Sequence, residues 1–430
     1  MDKPLTQNIH PDHDFTSLAD YQKTGGYRGM RKALTELQPH EVTQQIKDSG
    51  LRGRGGAGFS TGLKWSLVPQ KTSDLPDFQQ TRYFVANADE MEPGAFKDRL
   101  LLEQDPHQLI EGIIIGAYAI QANIAYIFMR GEYRLAAKRV TYALQEARAQ
   151  GYLGEHILGS DFNLEIYLHT SAGRYICGEE TALLNALEGK RSTPRARPPH
   201  AVASGLWGRP TVVNNVETLC NVGHIIHYGI DWYHSLGLGA DHGTKLFGVS
   251  GRVKHPGLWE LPMGTPIREI VEEYAGGMLD GYQLRGFLPG GASTDFLLPE
   301  HLDVRMDYDA VAEAGSRLGT GTLIILDDKT CPVKMVLNME QFFAQESCGW
   351  CTPCRDGLPW TVTLLQDIIA GQGRMEDLDT LAGLTRMLGP GHTFCALAPG
   401  AMEPLQSALK FFREDFERYI VGNNDELEYA

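Results

Sequence analysis

Residues 82–99 read RYFVANADEMEPGAFKDR, an apolar run that turns acidic within a few positions. A short stretch rich in aromatic and β-branched residues, broken by Asp, Glu, Pro and Gly, reads as a buried strand ending in a loop. The same signal recurs in NIAYIFMR (123–130) and FNLEIYLH (162–169), with a helical pattern, EYRLAAKRVTYALQEARAQG, between them (132–151). Strands separated by helices of that length predict a parallel sheet in an α/β layer. In open α/β sheets ligands bind beyond the carboxyl ends of strands, which makes Asn87, Asp89, Glu90 and Glu92 candidate site residues.

Around this core the chain divides by composition. Two helical stretches, YRGMRKALTEL and EVTQQIKDSG, precede it, the second closed by Gly50. The expected divisions are residues 1–240, an entry segment and Rossmann-like domain; 241–333, a small α+β domain of short strands, one helix and Gly-Pro turns; and 334–430, a helical bundle. In the last helix Met402, Leu405, Leu409, Phe412 and Phe416 fall on one stripe. The run LIEGIIIGAYAI (109–120) carries Glu111 and is too short to span a bilayer, so it predicts a buried helix.

With 430 residues, 42% of them hydrophobic, and a net charge of −15 in no single block, the composition suits a globular protein and excludes a nucleic-acid footprint. The N-terminal stretch carries neither a hydrophobic signal core nor an Arg-rich amphipathic pattern. Seven cysteines, four of them set apart by spacing, suit a reducing compartment and metal binding.

A glycine-rich loop, GLRGRGGAGFSTGLKW (50–65), precedes the first strand. It satisfies G-x-G-x-x-G but follows a polar helix, so it is not an ordinary dinucleotide fingerprint, and it lacks the Lys-Ser/Thr of a Walker A loop. Five glycines between Gly53 and Gly62 let backbone N–H groups approach an anion, with Arg52, Arg54 and Lys64 supplying positive charge. The competing reading is a flexible surface loop, which would not require the interleaved Arg, Phe59 and Trp65. Two further loops join the set. TSAGRYICGEETALLNALEGKR (170–191) places Glu179 and Glu180 at a helix start, where the helix dipole alone favours acids. RPTVVNNVETL (209–219) offers Asn214 and Asn215, paired amides suited to the edge of a heterocycle or to ribose hydroxyls.

In the C-terminal region Cys348, Cys351 and Cys354 stand at C-x2-C-x2-C, and Cys395 follows in GHTFCALAPG. Three thiolates at that spacing plus a distant fourth suit a cubane with one thiolate per iron; four thiolates around a zinc ion are the alternative. Cys177, Cys220 and Cys331 read as packing residues.

Taken together, GRGGAGFSTGLKW, NADEMEPGAFKDR, YICGEETALLNALEG, NNVETL and ESCGWCTPCRDG with TFCALAPG resemble, in order and over nearly the full length, the NADH-binding flavoprotein subunit of bacterial respiratory complex I. The resemblance implies a Rossmann-like flavin domain, a ubiquitin-like domain and a four-helix bundle. It implies FMN, NAD(H) and a [4Fe-4S] cluster as cofactors, with hydride passing from NADH to FMN and single electrons to the cluster and on to quinone. The loop Gly53, Arg54, Gly55, Gly56, Ala57, Gly58, Phe59, Ser60, Thr61 and Gly62, with Lys64, would hold FMN phosphate and NADH, Phe59 stacking on the dinucleotide. Asn87, Asp89, Glu92, Asn214 and Asn215 would contact FMN, and Glu90 and Thr218 would also be cofactor-binding. Tyr175, Gly178, Glu179 and Glu180 would line the nicotinamide side, and Cys348, Cys351, Cys354 and Cys395 would ligate the cluster. No side chain is expected to act as acid or base in hydride transfer. Glu180 is expected to repel the extra phosphate of NADPH. His200 is a departure, standing where relatives commonly carry Phe.

The implied partners are a thioredoxin-like [2Fe-2S] subunit and the large iron-sulfur subunit of the peripheral arm. The implied location is peripheral, on the cytoplasmic side of the bacterial inner membrane, attached only through the complex. Two rivals stand beside this reading. One is the diaphorase subunit of an NAD-linked hydrogenase or formate dehydrogenase, many of which carry additional modules for which MDKPLTQNIH leaves no room. The other is a non-catalytic metal-binding assembly protein.

Overall fold

The computed structural model describes residues 2–10, 12–71 and 80–422. The chain forms two units: Met1–Met91, Phe96–Leu246 and Glu260–Gly264 make the first, and Glu92–Ala95, Phe247–Trp259 and Thr265–Ala430 the second.

The first unit is built on four parallel strands, β1 (Tyr83–Ala88), β2 (Ile124–Met129), β3 (Glu165–Thr170) and β4 (Thr211–Asn215), in the order β3-β2-β1-β4. The three predicted strands are there, in the parallel arrangement expected of the α/β fold. A fourth, from TVVNN, completes the sheet. Chain direction along the sheet reverses at β1: β2 and β3 lie on one side of it and β4 on the other. In open α/β sheets such a reversal leaves a crevice at the carboxyl ends of the strands beside it, here β1 and β4, the topological switch point of the sheet. The register sets Asn87 beside Asn215 and Ala86 beside Asn214.

Helices packed with the sheet make unusually close approaches. The apolar run forms the helix Pro106–Ile120, buried at nearly every position. A Cβ on Gly112 would lie 2.1 Å from the Leu219 carbonyl of the helix Val216–Tyr228, and one on Gly29 would lie 2.2 Å from the Gly223 carbonyl. Glu111 is buried but satisfied. Its carboxylate accepts from the Tyr21 hydroxyl (2.6 Å) and from the N–H groups of Tyr27 and Met30 (2.9 Å each), at the start of the helix Arg28–Glu36. The acid in the hydrophobic run thus serves another helix's orphan donors.

A second sheet is formed by β5 (Thr244–Ser250), β6 (Gly257–Pro262), β7 (Leu284–Leu288) and β8 (Thr322–Asp327), ordered β6-β5-β8-β7, with β5 parallel and β7 antiparallel to β8. The helices Pro332–Glu346, Thr352–Ile369, Met375–Met387, Leu397–Phe411 and Arg413–Ile420 follow. The expected last helix is broken at Phe412, whose backbone (φ −125°, ψ 27°) leaves the helical region. Its ring packs edge-on to Phe296 at 5.4 Å, and the Arg285 guanidinium lies over it at 5.1 Å. Packing of that ring accompanies the interruption, and the five stripe residues stay buried.

Candidate functional site

The glycine loop is fixed by its own hydrogen bonds. Arg52 and Ser60 form an antiparallel bridge, Gly53 N–H donates to Phe59 O (2.9 Å), and Thr61 N–H donates to Leu51 O (2.9 Å). Gly56 (φ +121°) and Gly58 (φ +65°) take conformations that side chains disfavour. The flexible-loop alternative does not describe this closed turn. The loop opens the short helix Thr61–Ser66, capped by Ser60. At Gly55 a Cβ would come within 3.0 Å of the Asn215 Cβ, so the bare backbone lies against β4's end.

Gly62 has a different job from the one its place in the motif suggests. A Cβ there would meet Lys47 N at 2.2 Å, so its missing side chain lets the helix Thr61–Ser66 pack on the helix Pro39–Asp48.

Arg54 departs from the expectation that its charge lines the cradle. It is buried, and its guanidinium donates to the Tyr233 hydroxyl (3.1 Å) and to the carbonyls of His242 (2.9 Å) and Thr244 (3.4 Å). Its N–H donates to Thr218 Oγ1 at 2.8 Å. Carbonyls and a phenol inside the protein draw it inward, whereas Arg52, whose Nε donates to Gly58 O (2.9 Å) and which pairs with Asp241 (3.4 Å), and Lys64 are half-buried cations at the loop. Lys64 Nζ donates to Val213 O (3.0 Å) and pairs with Glu180 Oε1 (3.2 Å). Arg197 bridges Glu179 (2.8 Å) and Glu180 (3.5 Å).

The remaining predicted residues separate into those held by structure and those with capacity to spare. Asn87 donates to Gly178 O and accepts from Asp89 N–H. Asp89 accepts from the Ser171 hydroxyl. The second oxygen of Glu179 caps the helix Glu180–Leu187 through the N–H groups of Thr181 and Ala182. Asn214 accepts from the Trp65 indole N–H (2.9 Å), which leaves its amide N–H groups to spare. Phe59 is 47% exposed at the loop's tip, Tyr175 and Gly178 lie in the turn before Glu179, and His200 is exposed. Gly53, Ala57 and Ser60 lie within the loop.

Glu90 is spent elsewhere. It is buried and accepts from the N–H groups of Asp98 and Arg99 (3.0 Å each) at the start of the helix Lys97–Gln104, and from the Tyr133 hydroxyl (3.0 Å). Burial, reinforced by Asp98, pushes its carboxyl up to about 7. Glu92 belongs to the second unit, where it accepts from Ser293 N–H at 2.7 Å.

Beneath Asn215 lies an ion chain that sequence reasoning missed. Lys97 contacts Asp98 (2.7 Å) and Glu217 (3.0 Å), and Lys245 contacts Glu217 (2.9 Å), all four fully or almost fully buried. Burial alone would raise Glu217, yet Lys245 and Lys97 outweigh it and hold the acid down to about 2. Burial brings Lys245 down to about 8, whereas at Lys97 the two carboxylates overcome the same penalty and the ammonium is held more firmly. The two lysines share Glu217 but shift oppositely, because Lys97 has Asp98 as a second anion. KDR, VET and TKL come from three segments well separated in the chain, and no local pattern marks them as buried.

In the second unit Cys348 and Cys351 lie between the helices Pro332–Glu346 and Thr352–Ile369, and Cys354 is in the first turn of the latter. Cys351 is the N-cap of the latter helix, and Gly349 (φ +74°) turns the chain. Ser347 Oγ lies 3.2 Å from Cys354 Sγ, and Phe394 N–H donates to Cys351 Sγ at 3.3 Å, which brings the loop of Cys395 to the triplet. Burial, then the neighbouring Cys348 and Cys351, push the Cys354 thiol up. Thiolates gathered there call for a compensating metal charge. Among the described residues no three Cys, His, Asp or Glu side chains close on one point as a single ion requires. A cubane instead takes each thiolate on a separate iron.

The first unit's residues suit a phosphorylated flat ring as well. Thr61 Oγ1 is buried without a hydrogen-bond partner, the Gly55 backbone is bare, and two asparagines end β4 at the crevice. No helix among the described residues is long and apolar enough to cross a membrane.

Three family models match the chain. Residues 46–224 match the Nuo51 FMN-binding domain, 246–297 the SLBB domain and 334–419 the NADH-ubiquinone oxidoreductase-F iron-sulfur binding region. The chain is 56% identical over 417 residues to the NADH-quinone oxidoreductase F subunits of Escherichia coli and Salmonella typhimurium, covering 97% of this chain and 93% of each relative. It is 46% identical to the corresponding protein of Streptomyces coelicolor over 419 residues, 97% of this chain and 91% of that one. Among solved structures it resembles an NAD+-reducing [NiFe]-hydrogenase in the H2-reduced state (TM-score 0.83, 34% identity, 94% of this chain) and in the air-oxidised state (0.79, 35%, 89%). This chain spans 66% and 63% of the length of those hydrogenase chains.

Proposed function

The chain belongs to the family of NADH-quinone oxidoreductase F subunits, and from that premise we propose that the crevice at the ends of β1 and β4 is where it holds FMN and receives NADH. As a family member the chain is an NADH-oxidising subunit of a multisubunit complex, with FMN, NAD(H) and a [4Fe-4S] cluster as cofactors. The iron-sulfur match displaces the zinc alternative and, with the flavin match, the assembly-protein rival. The diaphorase rival shares the fold, but identity favours the quinone oxidoreductase family, 56% against 34–35%.

The observation that carries the site reading is the close approach of Gly55 to Asn215, which lies beside Asn87 in the register and next to Asn214 in β4, at the switch point. When bound, FMN takes two electrons from NADH as a hydride and the cluster accepts them one at a time. The chain's own part is to bind and orient. N–H groups between Gly55 and Ser60 would cradle phosphate with Lys64, and the spare amide N–H groups of Asn214 and Asn215 would meet the ring's acceptor edge. Phe59 would stack on the dinucleotide, Tyr175 and Gly178 would line its approach, and Asp89 and Thr218 would complete the surround. Glu90 and Arg54 would act by holding that framework in place. Cys348, Cys351, Cys354 and Cys395 would ligate the cluster.

Glu180 would set the choice of dinucleotide. Its carboxylate, although paired with Lys64 and Arg197, keeps an anion where a second phosphate would arrive. Glu180→Ala should raise NADPH oxidation relative to NADH by about tenfold or more; an unchanged ratio would reject the assignment. The onward route would run through a thioredoxin-like [2Fe-2S] subunit and the large iron-sulfur subunit to quinone, with the complex holding this chain on the cytoplasmic face of the bacterial inner membrane. FMN and iron content of anaerobically prepared protein tests the reading directly. One flavin and four irons per chain are expected, and zinc without flavin would overturn it.

A further inference from the structure

The Asn215 amide has its orientation imposed by two neighbours of opposite character. Its Nδ2 donates to Asp98 Oδ2 at 2.6 Å, and its Oδ1 accepts from Thr218 N–H at 3.3 Å. Only one of the two flip states satisfies both. Asp98 is in turn anchored where it stands: Oδ1 accepts from Lys97 Nζ at 2.7 Å and from Glu217 N–H at 3.2 Å, and its own N–H is held by Glu90. Lys97 Nζ, Glu217 N–H and Asn215 Nδ2 all donate to the side chain, which acts here as an acceptor. Asp98 is 3% exposed and Thr218 fully buried.

The relay continues into the glycine loop. Thr218 Oγ1 accepts the Arg54 N–H at 2.8 Å and lies 3.5 Å from Asn215 Oδ1, while Gly55 is bare against the Asn215 Cβ. Both ends of the asparagine side chain are therefore constrained, and one amide N–H remains unspent.

We propose that Asp98 is a positioning residue for the flavin: it fixes which way the Asn215 amide faces, and through Asn215 and Thr218 it holds the glycine loop at Arg54. This rests on the reading that Asn215 contacts the cofactor. Asp98 itself touches neither flavin nor nucleotide in this account. Its contribution is to forbid the flipped amide, which would turn a carbonyl oxygen where an N–H is needed. An asparagine at position 98 has the same shape but sets an amide N–H against the Asn215 amide N–H, and flipping Asn215 only moves the conflict to Thr218.

The experiment is a double-mutant cycle on FMN binding in the assembled complex, following released flavin fluorescence on dilution, with Asp98→Asn, Asn215→Ala and both together. Each single change should raise the FMN dissociation constant about tenfold, the scale of one buried hydrogen bond. The double variant should be no weaker than Asn215→Ala, because Asp98 acts through that amide. The swapped pair, Asp98→Asn with Asn215→Asp, guards against misfolding: the hydrogen bond re-forms in the opposite direction, so assembly should recover while FMN stays weakly held, since a carboxylate at 215 has no N–H to offer. Three results would overturn the proposal: wild-type FMN affinity in Asp98→Asn, additive losses in the cycle, or full FMN affinity in the swapped pair. A silent Asn215→Ala would instead bring down the site reading itself and the proposal with it.

Discussion

Glu90 shows how a residue within a recognised motif can serve the site without facing it. Its neighbours in NADEMEPG approach the crevice, yet its own oxygens meet the N–H groups of Asp98 and Arg99 and the Tyr133 hydroxyl. Its carboxyl rises on folding from 4.5 to about 7, chiefly through burial. An acid shifted upward binds more protons folded than unfolded between those values, so its contribution to stability is full at the acid end and is lost as pH rises through the window. Glu90→Gln stays neutral throughout. Its lost hydrogen bonds carry a penalty that does not vary with pH, while the slope due to Glu90 vanishes. Denaturant midpoints measured from pH 4.5 to 7 should therefore converge on wild type as pH rises; parallel curves would show that Glu90 does not titrate there. The residue types of this site were legible in the sequence, because acids and amides placed after a strand have few bland uses. Which of them point inward was not, since Arg54 and Glu90 take partners up to 190 residues away in sequence.

Elements were legible where their signal is local. Strands β1 to β3, the helix Pro106–Ile120 and the closing role of Gly50 (φ +69°) follow from periodicity and turn chemistry. The break at Phe412 does not, because it depends on Phe296 and Arg285 meeting the ring. Gly62 is the sharper case. As a motif glycine it reads as phosphate cradle, whereas its place in the helix Thr61–Ser66 demands room for the Lys47 backbone. Gly62→Ala would gain about 1 kcal/mol of helix propensity. A methyl group 2.2 Å from Lys47 N cannot be relieved by a side-chain rotation, and such overpacking costs about 1–3 kcal/mol or more. The steric term wins. Calorimetry of the variant should show the first unit melting several degrees lower, and a higher transition would reject this packing role.

Across the molecule, the proposed flavin site is built on the first unit and the cysteine centre on the second. Cys395 arrives 41 residues after Cys354, on the loop whose Phe394 N–H meets Cys351 Sγ. Cys395→Ser should lower iron content and loosen the helix Leu397–Phe411 together, measured as iron per chain and as proteolysis near residue 397, while flavin per chain holds. Loss of flavin with an intact bundle would argue that the two centres are not separately supported. Cysteine spacing made this division readable from the outset; the buried lysines and acids under Asn215 stayed hidden because three separated segments must meet before they acquire meaning. Glu111 carries a consequence for biosynthesis. Its carboxyl group sits in an isoleucine-rich helix and is satisfied by donors from Tyr21, Tyr27 and Met30, segments that leave the ribosome earlier, so trimming the amino-terminal thirty residues would strand an unsatisfied polar group at the heart of the nascent layer rather than shorten a dispensable tail.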